Sequence, residues 1–479
     1  MITNLAVEAQ AIAPYVIEIR HELHSIPETR YETPKTRAVI RRELGTFMPG
    51  VLIEESKGGI VANIGDIAGA PRLLFRADFD ALPIAEKTGL AFISVNEGKS
   101  HACGHDCHTA MLLGLCNLIG RGWVTPKYNL RLVFQDAEEN PGTNPEPISG
   151  GDRLVQDGVT KGVERAYAIH VWNHPTGKPG VFLSRPGGLL GNSGRIKFAA
   201  TSTTNVFPIR HVLARLNSFL ARRMDPIEPA TLEPVILKMA DPVTKFPYPR
   251  TIKVTITAAG GHVAMPNYPR VNALRIAEEL MQHVGTARII RAGTGSNVLP
   301  SEAVLWFGSG QGSLPMFKEH TERASKGMGG ASITAEEVSE LPRDIEPGTL
   351  ELWYGFRTML HRNQHLGMMD MLEDEFRAVC HDVEVTEVKK MGGHPALLND
   401  AREFKRVVEI LSGAGLTVEE HRPMLGGEDF AHVAYSVPSC MWMLGTYREG
   451  TGDHHQPNFD PDESVLWKGV QFWALLATN

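Results

Sequence analysis

Cysteine is scarce in this chain, with five in 479 residues: Cys103, Cys107, Cys116, Cys380 and Cys440. An odd, sparse set makes a poor disulfide framework and fits a reducing compartment, so a cytoplasmic location is expected. Long apolar runs are also missing. No stretch of about 18 apolar residues is there to span a bilayer. The opening, Met1-Ile-Thr-Asn-Leu-Ala-Val-Glu-Ala-Gln10, lacks the basic start and apolar centre of a signal peptide. Positive charge is not concentrated either: 48 Lys and Arg stand against 55 Asp and Glu, a net charge of −7, with no basic stripe. That argues against nucleic acid as the principal partner. What remains is an ordinary globular composition, 42% apolar and 22% charged. The length exceeds the usual limit of one compact core, so two domains are expected.

Against that background one stretch stands out. Three of the five cysteines lie within fourteen residues, beside histidines, in and after Ser100-His-Ala-Cys-Gly-His-Asp-Cys-His108. Gly104 lets the backbone turn tightly, so Cys103 and His105 can converge; thiolate and imidazole suit zinc and other first-row divalent ions. A lone Cys-Gly-His is more often structural, but His101, Asp106, Cys107 and His108 crowd the same turn of chain. About thirty residues later comes Phe134-Gln-Asp-Ala-Glu-Glu139. Adjacent carboxylates are frequently a solvated turn. Here they follow the apolar strand Leu130–Phe134, and neighbouring side chains leave a strand end in different directions. One can reach a metal while the other handles protons.

The periodicity gives an α/β alternation. Ala6–Leu23 reads as a helix from the spacing of Ile12, Val16, Ile19 and Leu23, and Thr36–Leu44 as a second. Ile60–Ile64, Leu73–Asp80, Leu130–Phe134 and Val163–Val171 read as strands, the last with His170 at its end. Thr109–Ile119 reads as a helix entered from the Cys/His cluster. Ligand groups at carboxyl ends of strands are where open α/β sheets place their chemistry. After Gly187-Gly-Leu-Leu-Gly-Asn-Ser-Gly194 the pattern becomes strand–helix–strand without clustered ligands, to about residue 390. Arg195-Ile-Lys-Phe-Ala echoes Thr251-Ile-Lys-Val-Thr. Likewise Leu299-Pro-Ser-Glu-Ala-Val-Leu-Trp-Phe-Gly308 echoes Glu346-Pro-Gly-Thr-Leu-Glu-Leu-Trp-Tyr-Gly355, which suggests repeated βαβ units. The final part carries Gly426-Gly-Glu-Asp-Phe430 and His454-His-Gln-Pro457. The His-His pair is ambiguous by spacing, and Gly261-His262 alone would be a turn.

Taken in order, these segments resemble the amidohydrolase branch of the metallopeptidases that includes aminoacylase, carboxypeptidase G, hippurate hydrolase and the plant indole-acetyl-amino-acid hydrolases. The resemblance runs through His24-Ser-Ile-Pro-Glu28, Arg76-Ala-Asp-Phe-Asp-Ala-Leu-Pro83, His101–Asp106, Phe134–Glu139 and Ala168-Ile-His170. It continues in Gly260-Gly-His-Val-Ala-Met-Pro266, Gly427-Glu-Asp-Phe430 and His455-Gln-Pro-Asn-Phe-Asp460. It implies an α/β fold of two domains: a di-metal catalytic domain in residues 1–193 and 391–479, and an inserted, enlarged α+β (ferredoxin-like βαβ) satellite domain in residues 194–390. It implies two divalent ions, manganese or zinc, held by Cys103, His105, Glu139, His170 and His455. Glu138 would be the general base, and Asp80 an acid that orients a ligand. His262 would match a histidine that crosses to the partner's active site in dimeric relatives.

The chain departs from that pattern in places. The inserted domain is larger than in relatives. Asn297-Val-Leu-Pro300 has no nearby Arg, and Arg357 follows a second, similar segment, so Asn297 and Arg357 are weaker substrate-binding candidates. The expected activity is hydrolysis of a C–N bond in a small molecule, most simply the amide of an N-acyl or N-aroyl amino acid. One alternative is hydrolytic deamination of an activated aromatic amine by the same metals. The other is an inactive metal-binding or assembly protein. A homo-oligomer through the satellite domain, a dimer or larger, is expected, with neither membrane nor nucleic acid as a partner.

Overall fold

The computed structural model describes residues 2–139, 148–223, 230–242, 251–258, 261–262, 272–293, 298–308, 313–327, 331–338, 342 and 344–479. They divide into two units, each with its own apolar core. The larger comprises Met1–Leu189, Leu397–Arg422 and Glu428–Asn479; the smaller comprises Leu190–Ala396 and Pro423–Gly427.

The larger unit is built on a mixed eight-stranded sheet. Its strands are β1 (Leu52–Ser56), β2 (Gly59–Ile64), β3 (Arg72–Asp78), β4 (Asn129–Gln135), β5 (Arg165–Trp172), β6 (Phe182–Ser184), and the later segments Val418–Glu420 and Ser439–Gly445. The order is β1-β2-β4-β3-β5, then Ser439–Gly445, β6 and Val418–Glu420. β3 pairs in parallel with both β4 and β5. The chain therefore leaves β3 to one side and later crosses to the other. Such a reversal opens a crevice at the carboxyl ends of the strands. β3 is buried along almost its whole length, as a central parallel strand covered on both faces must be.

The crossover from β3 to β4 is the helix His105–Gly120, buried on every side from His105 to Leu118. A helix buried all round reads as uniformly apolar, which is why Thr109–Ile119 shows little amphipathic pattern. It begins four residues ahead of that apolar run because Gly104 turns the chain in the left-handed region, φ 86°. A Cβ there would sit 2.3 Å from Val171 Cγ2, so no other residue fits. At the amino end the expected single helix is two, Ile2–Ala11 and Ala13–Ser25, with Pro14 in the first turn of the second. Proline lacks the N–H that would continue the first helix. Val16, Ile19 and Leu23 still pack into the core.

The smaller unit has a second eight-stranded sheet. In chain order its strands are β7 (Asn192–Thr201), β8 (Ala230–Ala240), β9 (Thr251–Thr257), β10 (Ile289–Ala292), β11 (Glu302–Gly308), β12 (Ser332–Val338), β13 (Thr349–Thr358) and β14 (Glu384–Gly392). The sheet order is β12-β9-β11-β10-β8-β13-β7-β14, with every neighbouring pair antiparallel. The helices Ile209–Asn217, Ala273–Val284, Leu314–Gly327 and Arg362–Val379 contribute to one core with the inward residues of these strands. The unit is thus a β-rich mixed domain inserted in an α/β one.

Candidate metal centre

The ligand types gather at the carboxyl ends of β3, β4 and β5. Cys103, His105 and His170 form one group whose donor atoms all lie within 4.8 Å of one another, and Cys103, Glu139 and His455 form another. His105, Glu138 and Glu139 form a third. All five ligands expected from the resemblance are therefore in one place, with Glu138 among them. Cys103 belongs to two of the groups, with its Sγ 3.5 Å from His170 Nε2. His455 Nε2 lies 2.8 Å from Glu139 Oε1.

The backbone is bent to make this possible. Ala137 (φ 50°) and His455 (φ 64°) are non-glycine residues in the left-handed region. Such conformations carry strain and persist where the surroundings hold them. His455 is held by its N–H, which donates to the Ala102 carbonyl at 2.8 Å. The turn before Glu138 is held by Asp80, whose two oxygens accept from the backbone N–H groups of Glu138 (3.0 Å) and Glu139 (3.1 Å). Asp80 also lies 3.3 Å from His105 Nδ1. One buried carboxylate thus positions three of the side chains beside it.

His108 and Asp106 make contacts of their own, and Asp78, His105 and His108 form a further group with donor atoms within 4.8 Å of one another. His108 donates from Nδ1 to Asp78 (2.5 Å), and its Nε2 accepts from the Val171 N–H (2.9 Å), so both nitrogens are used. Asp106 is paired with His24 Nδ1 (2.8 Å) and lies 3.4 Å from Arg20 Nε. His170 donates from Nδ1 to the Val171 carbonyl, which leaves Nε2 as the free donor atom for a metal. His454, passed over in favour of its neighbour, approaches Cys103 Sγ at 3.7 Å through Nδ1. Its Nε2 accepts from the Asn173 N–H, and its ring stacks on Trp172. Spacing alone could not divide these roles between His454 and His455.

Behind Glu138 lies a wholly buried ionic network that sequence reasoning did not assign. Arg76 reaches Asp78 (2.6 Å), Glu428 (2.9 Å) and Asp429 (2.8 Å), and donates to Gln135. The Asp429 N–H donates to Glu138 Oε1 at 3.3 Å. The signal was present in the Arg76–Pro83 and Gly427–Phe430 motifs, which fall 352 residues apart at their contact.

Charge in this pocket is uneven. Six carboxylates (Asp78, Asp80, Glu138, Glu139, Glu428 and Asp429) share one guanidinium and a few imidazoles. Burial, then Glu428, Glu139 and Asp429, hold the Glu138 carboxyl well above the usual range against the pull of Arg76. Burial pulls His105 down, but Asp78 and Asp80 outweigh it and hold it at about 10. Burial, then Glu139 and Glu138, push the Cys103 thiol up. Both ring nitrogens of buried His105 lack a well-directed hydrogen bond among the described residues. Excess negative charge, an orphaned imidazole and a thiol fit a divalent cation, and its arrival would release protons from these groups.

His262, Asn297 and Arg357 belong to the inserted stretch of the sequence. Asn297 lies outside the described residues. His262 is described only in its backbone, where Gly261–His262 pairs with Val298–Leu299. Arg357 is buried in the inserted unit at the end of β13, donating to the Leu425 carbonyl at 3.2 Å.

Residues 74–479 match the model of peptidase family M20/M25/M40. The chain belongs to this family. It is a metal-dependent hydrolase of the amidohydrolase type. Relatives align along nearly its whole length. Thermostable carboxypeptidase 1 of Saccharolobus solfataricus is 25% identical, covering 100% of this chain and 98% of its own. N-acetyl-L-cysteine deacetylase of Bacillus subtilis is 27% identical (97% and 88%), and an IAA-amino acid hydrolase of Arabidopsis thaliana 26% (97% and 85%). Among solved structures, a dinuclear metal-binding peptidase of Bacillus subtilis superposes with a TM-score of 0.64 at 22% identity, covering 98% of each chain, which shows the shared fold. Among the described residues no helix is long and apolar enough to cross a membrane.

Proposed function

We propose that this chain hydrolyses the amide bond of an N-acyl or N-aroyl amino acid. The observation that carries the reading is the position of Glu138, a buried carboxylate beside two ligand groups that share Cys103. The names carboxypeptidase, N-acetyl-L-cysteine deacetylase and IAA-amino acid hydrolase among the relatives support an acylated amino acid as the substrate class.

Cys103, His105, Glu139, His170 and His455 would hold two divalent ions, and their donor atoms gather closely enough to do so. Thiolate and imidazole favour zinc; the carboxylates equally accept manganese. Bound there, the ions would make a water more acidic and polarise the scissile carbonyl. Glu138 takes the proton from the attacking water and later delivers it to the departing nitrogen. Asp80 keeps Glu138, Glu139 and His105 in register through the contacts given above. His262 would steady the developing oxyanion, and Asn297 and Arg357 would take the substrate's polar end. Five free cysteines, all buried, fit a cytoplasmic protein acting on a small molecule.

A panel of acylated amino acids and of aromatic amines, run with manganese and with zinc, tests the reading. Release of a free amino acid is expected. Glu138→Gln should lower kcat by about 10²- to 10⁴-fold, the usual worth of a positioned acid–base group, with metal content unchanged. Ammonia release without any amide cleavage would replace the amide reading with deamination. Full metal content with no turnover on any substrate would leave a binding or assembly protein.

A further inference from the structure

The end of β5 fixes the hydrogen positions of three histidines. The Val171 N–H donates to His108 Nε2 at 2.9 Å, the Val171 carbonyl accepts from His170 Nδ1 at 2.6 Å, and the Asn173 N–H donates to His454 Nε2 at 3.1 Å. A backbone group cannot exchange the role of donor for that of acceptor, so each contact decides which ring nitrogen carries the hydrogen. His170 carries it on Nδ1 and keeps the lone pair of Nε2. His454 is the reverse case. An Nε2 that accepts from a backbone N–H holds no hydrogen of its own, so that of the His454 ring is on Nδ1.

These two rings meet at one sulfur. Cys103 Sγ lies 3.5 Å from His170 Nε2 and 3.7 Å from His454 Nδ1. A Glu139 oxygen and a His455 ring nitrogen are within 4.8 Å of it as well. His170 and Glu139 offer electron pairs, as groups sharing a cation must. His454 offers a hydrogen, because its single lone pair is spent on the Asn173 N–H. The ring is held to that aim. It stacks on Trp172 with centroids 5.1 Å apart, and Phe459 packs on it at 5.1 Å. The Asn173 side-chain amide donates to the Gly452 carbonyl at 2.7 Å, which ties the end of β5 to the loop bearing His454 a second time. The His454 N–H donates to Asp453 within that loop at 2.8 Å.

A thiolate gives charge to a metal according to the electron density on sulfur, and a hydrogen bond to sulfur withdraws part of it. Hydrogen bonds around a cysteine ligand are one of the means by which a protein tunes the metal–sulfur bond. A site that must polarise a carbonyl gains from that withdrawal, since a softer donation leaves the centre more electrophilic.

We propose that His454 is a positioning residue of the metal centre: its Nδ1–H donates to the Cys103 sulfur and sets how much charge that sulfur gives to a bound ion. Of the adjacent pair, His455 is the ligand and His454 acts through Cys103. The inference rests on Cys103 as a metal ligand, as in the proposed function, and is independent of which bond is cleaved. The full-length chain loaded with cobalt(II) tests it, because the thiolate-to-cobalt charge-transfer band reports the electron density on sulfur. His454→Phe keeps a ring against Trp172 and removes the N–H. His454→Asn puts an amide N–H where Nδ1–H stood and, like phenylalanine, gives up the acceptor for Asn173. Any stability lost with the Asn173 contact is therefore common to both variants, whereas the spectral effect is not. The expected result is the wild-type cobalt content in both, with the band shifted to longer wavelength in His454→Phe and returned toward its wild-type position in His454→Asn. A band in one place in all three proteins, or moved alike in both variants, would overturn the proposal and leave the metal centre standing. Reduced cobalt content in His454→Phe would make His454 a ligand and overturn it too. A wild-type spectrum without the band would remove Cys103 from the ligand set, and this inference with it. Nitrogen NMR of the wild-type histidines needs no variant: His454 should be the Nδ1–H tautomer, and a hydrogen on Nε2 would end the argument.

Discussion

The two domains of this chain spend their buried positions differently. The catalytic domain buries Arg20, Arg76, Asp78, Asp80, His105, Asp106, Glu138, Glu428 and Asp429 close to its ligand groups. The inserted domain buries Phe198, Leu237, Val254, Leu305, Leu352 and Phe376 along a continuous core, with few buried ions among the described residues. Buried charge is tolerated only when paired and hydrogen-bonded, and it contributes little net stability. The first domain therefore holds an arrangement that is costly in itself and makes sense as chemistry. The second holds an arrangement whose main product is a stable sheet.

Removing one partner from each kind of interior exposes that contrast. Arg76→Met would leave Asp78, Glu428 and Asp429 without their shared cation. Breaking a buried pair from one side typically costs about 3 to 5 kcal/mol. Urea unfolding of the variant should show a loss of that order. Adding Glu428→Gln and Asp429→Asn to it should restore part of the loss, because the uncompensated charges are then gone. If Arg76→Met alone unfolds like wild type, the network is not the electrostatic liability argued here.

In the inserted domain the corresponding change is Leu352→Ala, at a fully buried position of β13. Large-to-small core substitutions cost about 2 to 5 kcal/mol, set by how far the site can collapse. The expected result is a lower unfolding midpoint with unchanged metal content, since every candidate ligand lies in the other unit. Loss of metal in parallel with stability would erase the distinction between the domains.

The sequence made the catalytic site legible where chemistry is local. Cys103, Gly104 and His105 sit within one turn, Glu138 and Glu139 are adjacent, and their placement at strand ends follows from short apolar runs. The repeats of the inserted domain were legible as echoes of strands. The order of its strands in the sheet was not, because it depends on pairings such as β8 with β10 that leave no mark on composition. The Arg76 network was hidden for the same reason: its members are far apart in the chain, and nothing in a Glu-Asp pair announces an arginine on another strand. The break between the first two helices was readable at Pro14, yet the apolar spacing of Ile12, Val16 and Ile19 runs straight through it.

A smaller effect sharpens the comparison through pH. Burial pulls His24 down, but its hydrogen bonds to Asp106 and Glu86 outweigh it and hold the imidazole at about 9. A base whose folded pKa lies above its unfolded value of about 6.5 stabilises the native state fully below that value and loses the contribution as pH rises through about 9. The contribution is on the order of 3 to 4 kcal/mol, from a shift of that size at about 1.4 kcal/mol per pH unit. Wild type should therefore lose stability between pH 6.5 and 9 in urea unfolding, and His24→Gln should be weaker at pH 6 yet flatter across that window. Parallel curves for the two proteins would mean that His24 is neutral in the folded chain, and that Asp106 is held by Arg20 alone.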